Sequence, residues 1–177
     1  MLAGMSRLRR LDLSDRFFFV SCRLARHCEP LNEDEFEKLA RVIRLRRERH
    51  GFLLTAWVLM PDHWHAIIYP RHPLTISRVM EAIKVGSTLR INGARRRKGR
   101  LWQPRFFDHA IRTVKEYGEK VEYIHQNPVR AGLVEQPEQW AWSSAREYSG
   151  SLEDKATRHP VLPIDRVLLP SDGRTRI

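Results

Sequence analysis

The chain has 177 residues, a length that suits one domain with short extensions. Hydrophobic residues make up 42% and charged residues 30%, a globular balance with enough apolar surface for one core. Thirty-two Lys and Arg against 21 Asp and Glu give a formal net charge of +11, which attracts polyanions; nucleic acid leads the partners, ahead of an acidic protein. Cys22 and Cys28 are the only cysteines, so a disulfide framework and a Cys-x-x-Cys zinc site are both excluded. Phe17 to Val20 and Phe52 to Met60, the longest apolar stretches, are too short to span a bilayer. Arg7, Arg9 and Arg10, followed by Asp12, leave no apolar signal-peptide core, and a cytoplasmic protein with no membrane partner is expected.

Arg16 to Arg23, rich in Phe and Val, reads as a first strand. Asn32, three residues before Glu35, signals a helix start, and Phe36, Leu39, Val42, Ile43 and Leu45 continue at helical spacing until Gly51. Phe52 to Met60 is a buried strand, Pro61-Asp62 a tight turn, and His63 to Tyr69 a strand that pairs back on it. Thr75 can cap a second helix with Ile76, Val79, Met80, Ile83 and Leu89 facing inward. A basic loop, Arg95 to Arg100, follows, and Leu101 to Ile111 reads as a fourth strand interrupted or edged by Pro104. Thr113-Val-Lys-Glu116 matches a capping box for a third helix, which Asn127-Pro128 is expected to close. The order strand, helix, strand, strand, helix, strand, helix favours an α+β fold of ferredoxin-like type, an antiparallel sheet with its helices mainly on one face. That domain spans residues 1–150, and residues 151–177 form a basic, Pro-containing arm.

His63-Trp64-His65 lies on the second strand of the hairpin. Side chains alternate on a strand, so both imidazoles point one way and can reach a single cation, while Trp64, Ala66 and Ile68 anchor the other face. The bare His-x-His pattern is weak, because hydrogen-bonded strand histidines give the same spacing. Its position just after a Pro-Asp turn, at the mouth of a buried hairpin, is the stronger signal.

The third helix separates two tyrosines. At about 100° per residue, Val114, Tyr117, Val121 and Ile124 form one stripe roughly 80° wide, the core-facing side. Tyr123 projects about 120° away from Tyr117, beside polar residues, and so needs a reason other than packing. Asn127, four residues later, shares its face; it reads either as a third metal ligand or as a helix cap before proline, with Gln126 a weaker ligand candidate. Two imidazoles, one amide oxygen and open positions suit Mg²⁺ or Mn²⁺. A cation there would polarise a scissile phosphate, and attack by Tyr123 would leave a phosphotyrosine ester. That ester conserves the energy of the broken phosphodiester, so a second strand's hydroxyl can displace the enzyme without ATP. Lys120, one turn before Tyr123, either assists the phenol or is a solvated helix lysine.

Val58-Leu-Met-Pro-Asp-His-Trp-His65, Leu101-Trp-Gln-Pro-Arg-Phe-Phe-Asp-His109, Tyr123-Ile-His-Gln-Asn-Pro-Val-Arg-Ala-Gly-Leu-Val134 and Trp142-Ser-Ser144 together resemble the REP-associated tyrosine transposases, within the HUH single-tyrosine group. The resemblance runs from about Phe17 to Gly150. It implies a ferredoxin-like domain with His63 and His65 as metal ligands, Asn127 as the polar ligand one turn after the nucleophile, and Tyr123 as that nucleophile. It also implies a metal-dependent endonuclease and strand transferase acting on single-stranded DNA that carries small hairpins. Cleavage would attach the 5′ phosphate to the enzyme and release a 3′ hydroxyl. Members commonly have asparagine where this chain has Asp62, an extra carboxylate beside the metal.

Arg95, Arg96, Arg97, Lys98 and Arg100 form the densest positive cluster and are candidates for contacts to the DNA backbone. Arg105 and Arg112 flank Phe106-Phe107-Asp108-His109 and are the next candidates; Asp108 or His109 lies near the site or satisfies a buried partner. Trp102, Trp140 and Trp142 either stack on bases or pack in the core. Besides replication-initiation or plasmid-relaxase chemistry with the same ligands, against which the Asn127-Pro-Val-Arg-Ala-Gly132 string argues, two readings compete with a transposase. One is a non-catalytic single-stranded nucleic-acid-binding module of the same layout, against which stands the absence of a recognition-strand aromatic pair. The other is a metal hydrolase in which water attacks and Tyr123 packs. The sequence leaves monomer and homodimer equally open.

Overall fold

The computed structural model describes residues 15–149, 159, 161–170 and 177; Arg7, Arg9, Arg10, Asp12 and Gly150 lie outside them. Local signals place most element boundaries. After β1 (Phe18–Arg23), Asn32 Oδ1 accepts from Glu35 N at 3.0 Å and Glu35 Oε2 accepts from Asn32 N at 3.1 Å. This reciprocal cap starts α1 (Glu33–His50), and Gly51 ends it in the left-handed region at φ 71°. The hairpin of β2 (Leu53–Leu59) and β3 (His63–Tyr69) follows, then α2 (Ile76–Ala94), whose first turn Thr75 caps. The chain continues through β4 (Phe107–Ala110), α3 (Val114–Arg130) and a short α4 (Ala145–Ser149).

The strands form one four-stranded sheet in the order β2-β3-β1-β4, with every neighbouring pair antiparallel. A register shift between Leu54 and Ala56 lets Leu54 and Trp57 share one face. On that face Phe18, Val20, Cys22, Trp57, Trp64 and Ala66 meet α1 and α2. Gly86 allows the two helices to close up: a Cβ there would stand 3.0 Å from Val42 Cγ1. The opposite face is covered by α3, which lays Tyr117, Val121 and Ile124 on Phe17, Phe19, Val58 and Ile67. So two long helices take one face, and the third lies across the other.

Three expected details differ. The fourth strand contracts to Phe107–Ala110; Trp102 makes one bridge to Leu24, and the chain between them includes Pro104, which has no N–H to give a ladder. Helix α3 runs through Pro128 to Arg130, with Ala131 N donating to Asn127 O at 3.0 Å. Pro128 gives up one hydrogen bond in the last turn, and its ring is buried there. Leu89 is exposed rather than inward, because six residues after Ile83 it stands about 120° round the helix.

The outer edge of β2 is capped by later chain. Ser144 N donates to Trp57 O at 3.0 Å, Trp57 N to Ser144 Oγ at 3.0 Å, and Leu59 N to Trp142 O at 2.9 Å. Farther along, Asp165 N donates to Leu54 O at 2.7 Å and Leu54 N to Asp165 Oδ2 at 2.8 Å. These contacts cover an edge that would otherwise offer unpaired backbone groups. They also bring the extended residues 161–170 onto the core, where Leu162 is fully buried.

Candidate active site

The hairpin and α3 converge on the α3-covered face. Alternation on β3 turns His63 and His65 to that side and Trp64 to the α1–α2 core, with the two imidazole centroids 4.7 Å apart. His65 is 4% exposed, stacks on Phe19 at 5.3 Å, and meets the Tyr123 ring edge-on at 5.4 Å. Tyr123 is 39% exposed and also packs against Phe19 at 5.6 Å. Tyr117, by contrast, is buried, with its hydroxyl 3.3 Å from that of Tyr148. The helical stripe therefore separates the two tyrosines as the periodicity requires.

Asn127 projects from α3 toward the same place, its Oδ1 lying 3.2 Å from His63 Nε2. The other nitrogen of that ring, Nδ1, is 2.5 Å from Asp62 Oδ1, and Arg23 approaches the second Asp62 oxygen at 3.7 Å. Partial burial opposes ionisation of Asp62, but His63 and Arg23 hold its carboxyl below the usual range. In the neutral tautomer that donates Nδ1–H to Asp62, the lone pair on Nε2 faces the Asn127 carbonyl oxygen. Two acceptors at that distance repel unless the amide turns its NH₂ inward or a cation lies between them.

His65 carries a second sign of the same kind. Burial, reinforced by the neighbouring His63 charge, pushes its imidazole down to about 3, so it is neutral at physiological pH. Its Nδ1 is buried without a hydrogen bond of good geometry, and among the described residues the only polar contact of the ring with the backbone is a weak one to Val20. Among the described residues no group of three or more His, Cys, Asp and Glu could hold a metal ion. Asn127 Oδ1 is the oxygen donor that stands beside the two imidazoles. Two imidazole nitrogens and an amide oxygen fit a divalent cation that keeps positions for phosphate oxygen or water.

Sequence reasoning assigned no role to two neighbours, Phe19 and Arg130. Phe19 touches both His65 and Tyr123, and Lys120 Nζ lies 5.3 Å from its ring centroid. Arg130 lies over the Tyr123 ring with its guanidinium carbon 5.3 Å from the centroid. Its spacing of seven from Tyr123, two helical turns, was the available signal.

The basic residues divide. Arg95 is not a solvent-facing cation: its Nε and Nη2 bind Glu35 at 2.5 and 2.6 Å, and its Nη1 and Nη2 reach the Glu29 and Pro30 carbonyls, each at 3.1 Å. Of the five clustered cations expected to contact DNA, Arg95 is thus the one whose guanidinium is engaged within the chain. Arg96, Arg97, Lys98, Arg100, Arg105 and Arg112 are exposed. His109 Nε2 is 2.5 Å from Glu116 Oε1, so this histidine pairs with the start of α3. Trp102 is buried with its Nε1 donating to Ser87 Oγ at 2.8 Å, and Trp140 and Trp142 pack against the core, so all three are packing residues.

The family described as Transposase IS200 like matches residues 18–127. The chain belongs to this family. A REP-associated tyrosine transposase of Escherichia coli K12 is 33% identical over 142 residues, covering 79% of this chain and 82% of the relative. A solved REP-associated tyrosine transposase bound to a REP hairpin is 27% identical, with a TM-score of 0.71, and the match covers 93% of this chain and all of that one. The IS200-like transposase described here is accordingly a tyrosine transposase, an enzyme that cleaves and rejoins DNA. No helix among the described residues is long and apolar enough to cross a membrane.

Proposed function

We propose that this transposase cuts single-stranded DNA beside a hairpin, with Tyr123 as the nucleophile and with His63, His65 and Asn127 holding Mg²⁺ or Mn²⁺. The observation that carries the reading is the convergence of Asn127 Oδ1 on His63 Nε2 at 3.2 Å, on the face where His65 meets Tyr123. When bound, the cation supplies Lewis-acid polarisation of the scissile phosphate and stabilises the charge that builds on it. Asp62 holds the His63 ring by its Nδ1, and burial keeps His65 neutral, the form in which imidazole binds metals. Tyr123 Oη attacks phosphorus, its proton passing to solvent on the exposed side of the ring. The bond from phosphorus to the 3′ oxygen breaks, and that oxygen leaves as a 3′ hydroxyl. The 5′ phosphate remains on Tyr123 until a 3′ hydroxyl of a second strand displaces it. The relative solved with a REP hairpin supports hairpin DNA as the partner. Arg96, Arg97, Lys98, Arg100, Arg105 and Arg112 are the exposed cations suited to its phosphates.

Incubation with labelled hairpin-bearing single-stranded DNA and Mg²⁺ or Mn²⁺ tests this. A covalent adduct on a denaturing gel is expected for the wild type and for Tyr117→Phe, and none for Tyr123→Phe, His63→Ala or His65→Ala. Cleavage without an adduct would replace the tyrosine by water as nucleophile. Binding with neither would reduce the chain to a DNA-binding module.

A further inference from the structure

Phe107 is a large apolar side chain left 58% exposed on a four-residue strand at the edge of the sheet. Single exposed apolar residues are common and by themselves mean nothing. Its position in the sheet is the informative part. Phe107 pairs with Ser21 across β4 and β1, and Ser21 pairs with His65 across β1 and β3. Directly opposed residues point to the same face, so Phe107, Ser21 and His65 form one row. Two strand spacings, about 10 Å, separate the backbones of Phe107 and His65. Ser21 is the small residue between them, with the imidazoles on one side of it and the exposed ring on the other.

The surroundings are aromatic and cationic. Phe107 meets Phe19 edge-on at 6.1 Å, and Phe19 is the ring in contact with His65 and Tyr123. Arg23 follows Ser21 on the same face of β1 and pairs with His63. Arg105 and Arg112, both exposed, flank β4 in sequence, two residues before Phe107 and two after Ala110. An exposed π-face among guanidinium groups is the surface chemistry that holds a single nucleic-acid strand, cations tracking phosphates while a ring stacks on a base. A base within a duplex has both its faces covered, so only an unstacked base offers one.

We propose that Phe107 is the stacking platform for an unpaired base adjoining the phosphate that Tyr123 attacks. The proposal rests on the active-site reading above. It assigns to β4 the task of fixing the strand's register, so that one particular phosphate lies over the imidazoles.

The test uses hairpin-bearing single-stranded DNA whose cleaved phosphate has been mapped, with 2-aminopurine placed in turn at the bases on either side. Wild type and Phe107→Trp should bind with equal affinity and quench 2-aminopurine at one of these positions. Phe107→Leu should weaken binding by about fivefold to a hundredfold and leave that probe bright, with its melting temperature unchanged because the ring is exposed. An abasic site at the same position should weaken wild-type binding by a like factor and cost Phe107→Leu nothing further. Tight binding by Phe107→Leu, or losses from the two changes that multiply, would overturn the proposal. Failure of the active-site reading shows differently, as an adduct that survives Tyr123→Phe, whatever the probe reports.

Discussion

The two faces of the sheet are built from the same strands and do opposite work. Under α1 and α2, residues such as Val20, Leu54, Trp57 and Trp64 are at most 1% exposed and are covered from end to end by apolar helix residues. Under α3, the cover is partial: Tyr117, Val121 and Ile124 close the face near Phe17 and Ile67, while Tyr123 and Asn127 stand where it opens. Both faces keep buried polar atoms without a well-formed hydrogen bond, Trp57 Nε1 and Trp64 Nε1 on the closed side and His65 Nδ1 on the open one, and the apolar packing of the closed side offsets that cost. His63-Trp64-His65 shows the division over three consecutive residues.

That division can be broken at neighbouring positions, and the largest effect is expected from the closed side. Trp64→Ala should cost about 3–5 kcal/mol in a denaturant titration, through lost burial and the cavity left behind. Where the variant remains folded, its affinity for Mn²⁺ should match the wild type. Equal damage to metal binding would mean that the faces are not separable.

A second effect of nearly this size concerns Arg95 and Glu35, whose side chains are only 13% and 6% exposed. Arg95→Met should destabilise by about 3 kcal/mol, since it strands a buried carboxylate. Burial works against the charge on Glu35, but the hydrogen bonds from Arg95 and from the Asn32 backbone, with the Arg95 charge, hold its carboxyl below the ordinary value of 4.5. Its folded value is thus lower than its unfolded one. The stabilisation is complete above pH 4.5 and is lost as pH falls through the depressed folded value. Acid unfolding followed by circular dichroism should show a less steep pH dependence in Arg95→Met, and an unchanged curve would remove the pair from the account of stability.

The smallest effect sharpens the open side. Asp62→Ala should weaken Mn²⁺ binding in calorimetry by about tenfold to a hundredfold while leaving the melting temperature nearly unaltered, as for other carboxylates that orient a ligating histidine. Asp62→Asn should cost less, because an amide oxygen can still accept from Nδ1. A larger loss with asparagine than with alanine would contradict the orienting role.

Much of this was legible in the residues. Periodicity separated Tyr117 from Tyr123, strand alternation put His63 and His65 together, and caps at Asn32, Thr75 and Thr113 marked the helix starts. What escaped depended on partners distant in sequence. Arg95 reads as one cation among five until Glu35, sixty residues earlier, is found against it. Asn127-Pro128 reads as a helix end because proline is disfavoured within helices, and the buried setting that tolerates Pro128 is tertiary. Phe107 lies within the expected fourth strand, and its exposure emerges only because β4 is a short edge. The hydrogen bond between His63 Nδ1 and Asp62 is local, yet only the ring's orientation reveals it.

The loop after α2 carries a last consequence. Arg97 N donates to Asn92 O and Asn92 Nδ2 to Gly99 O, both at 2.9 Å, while Lys84 Nζ holds the Gln103 and Pro104 carbonyls at 2.7 and 2.9 Å. Arg95 clamps its near end to α1. The conformational entropy of this segment is therefore surrendered when the chain folds and not when a strand arrives. A flexible basic loop would have to be frozen on each encounter, whereas this one, in the DNA-contacting role proposed for it, is already in shape.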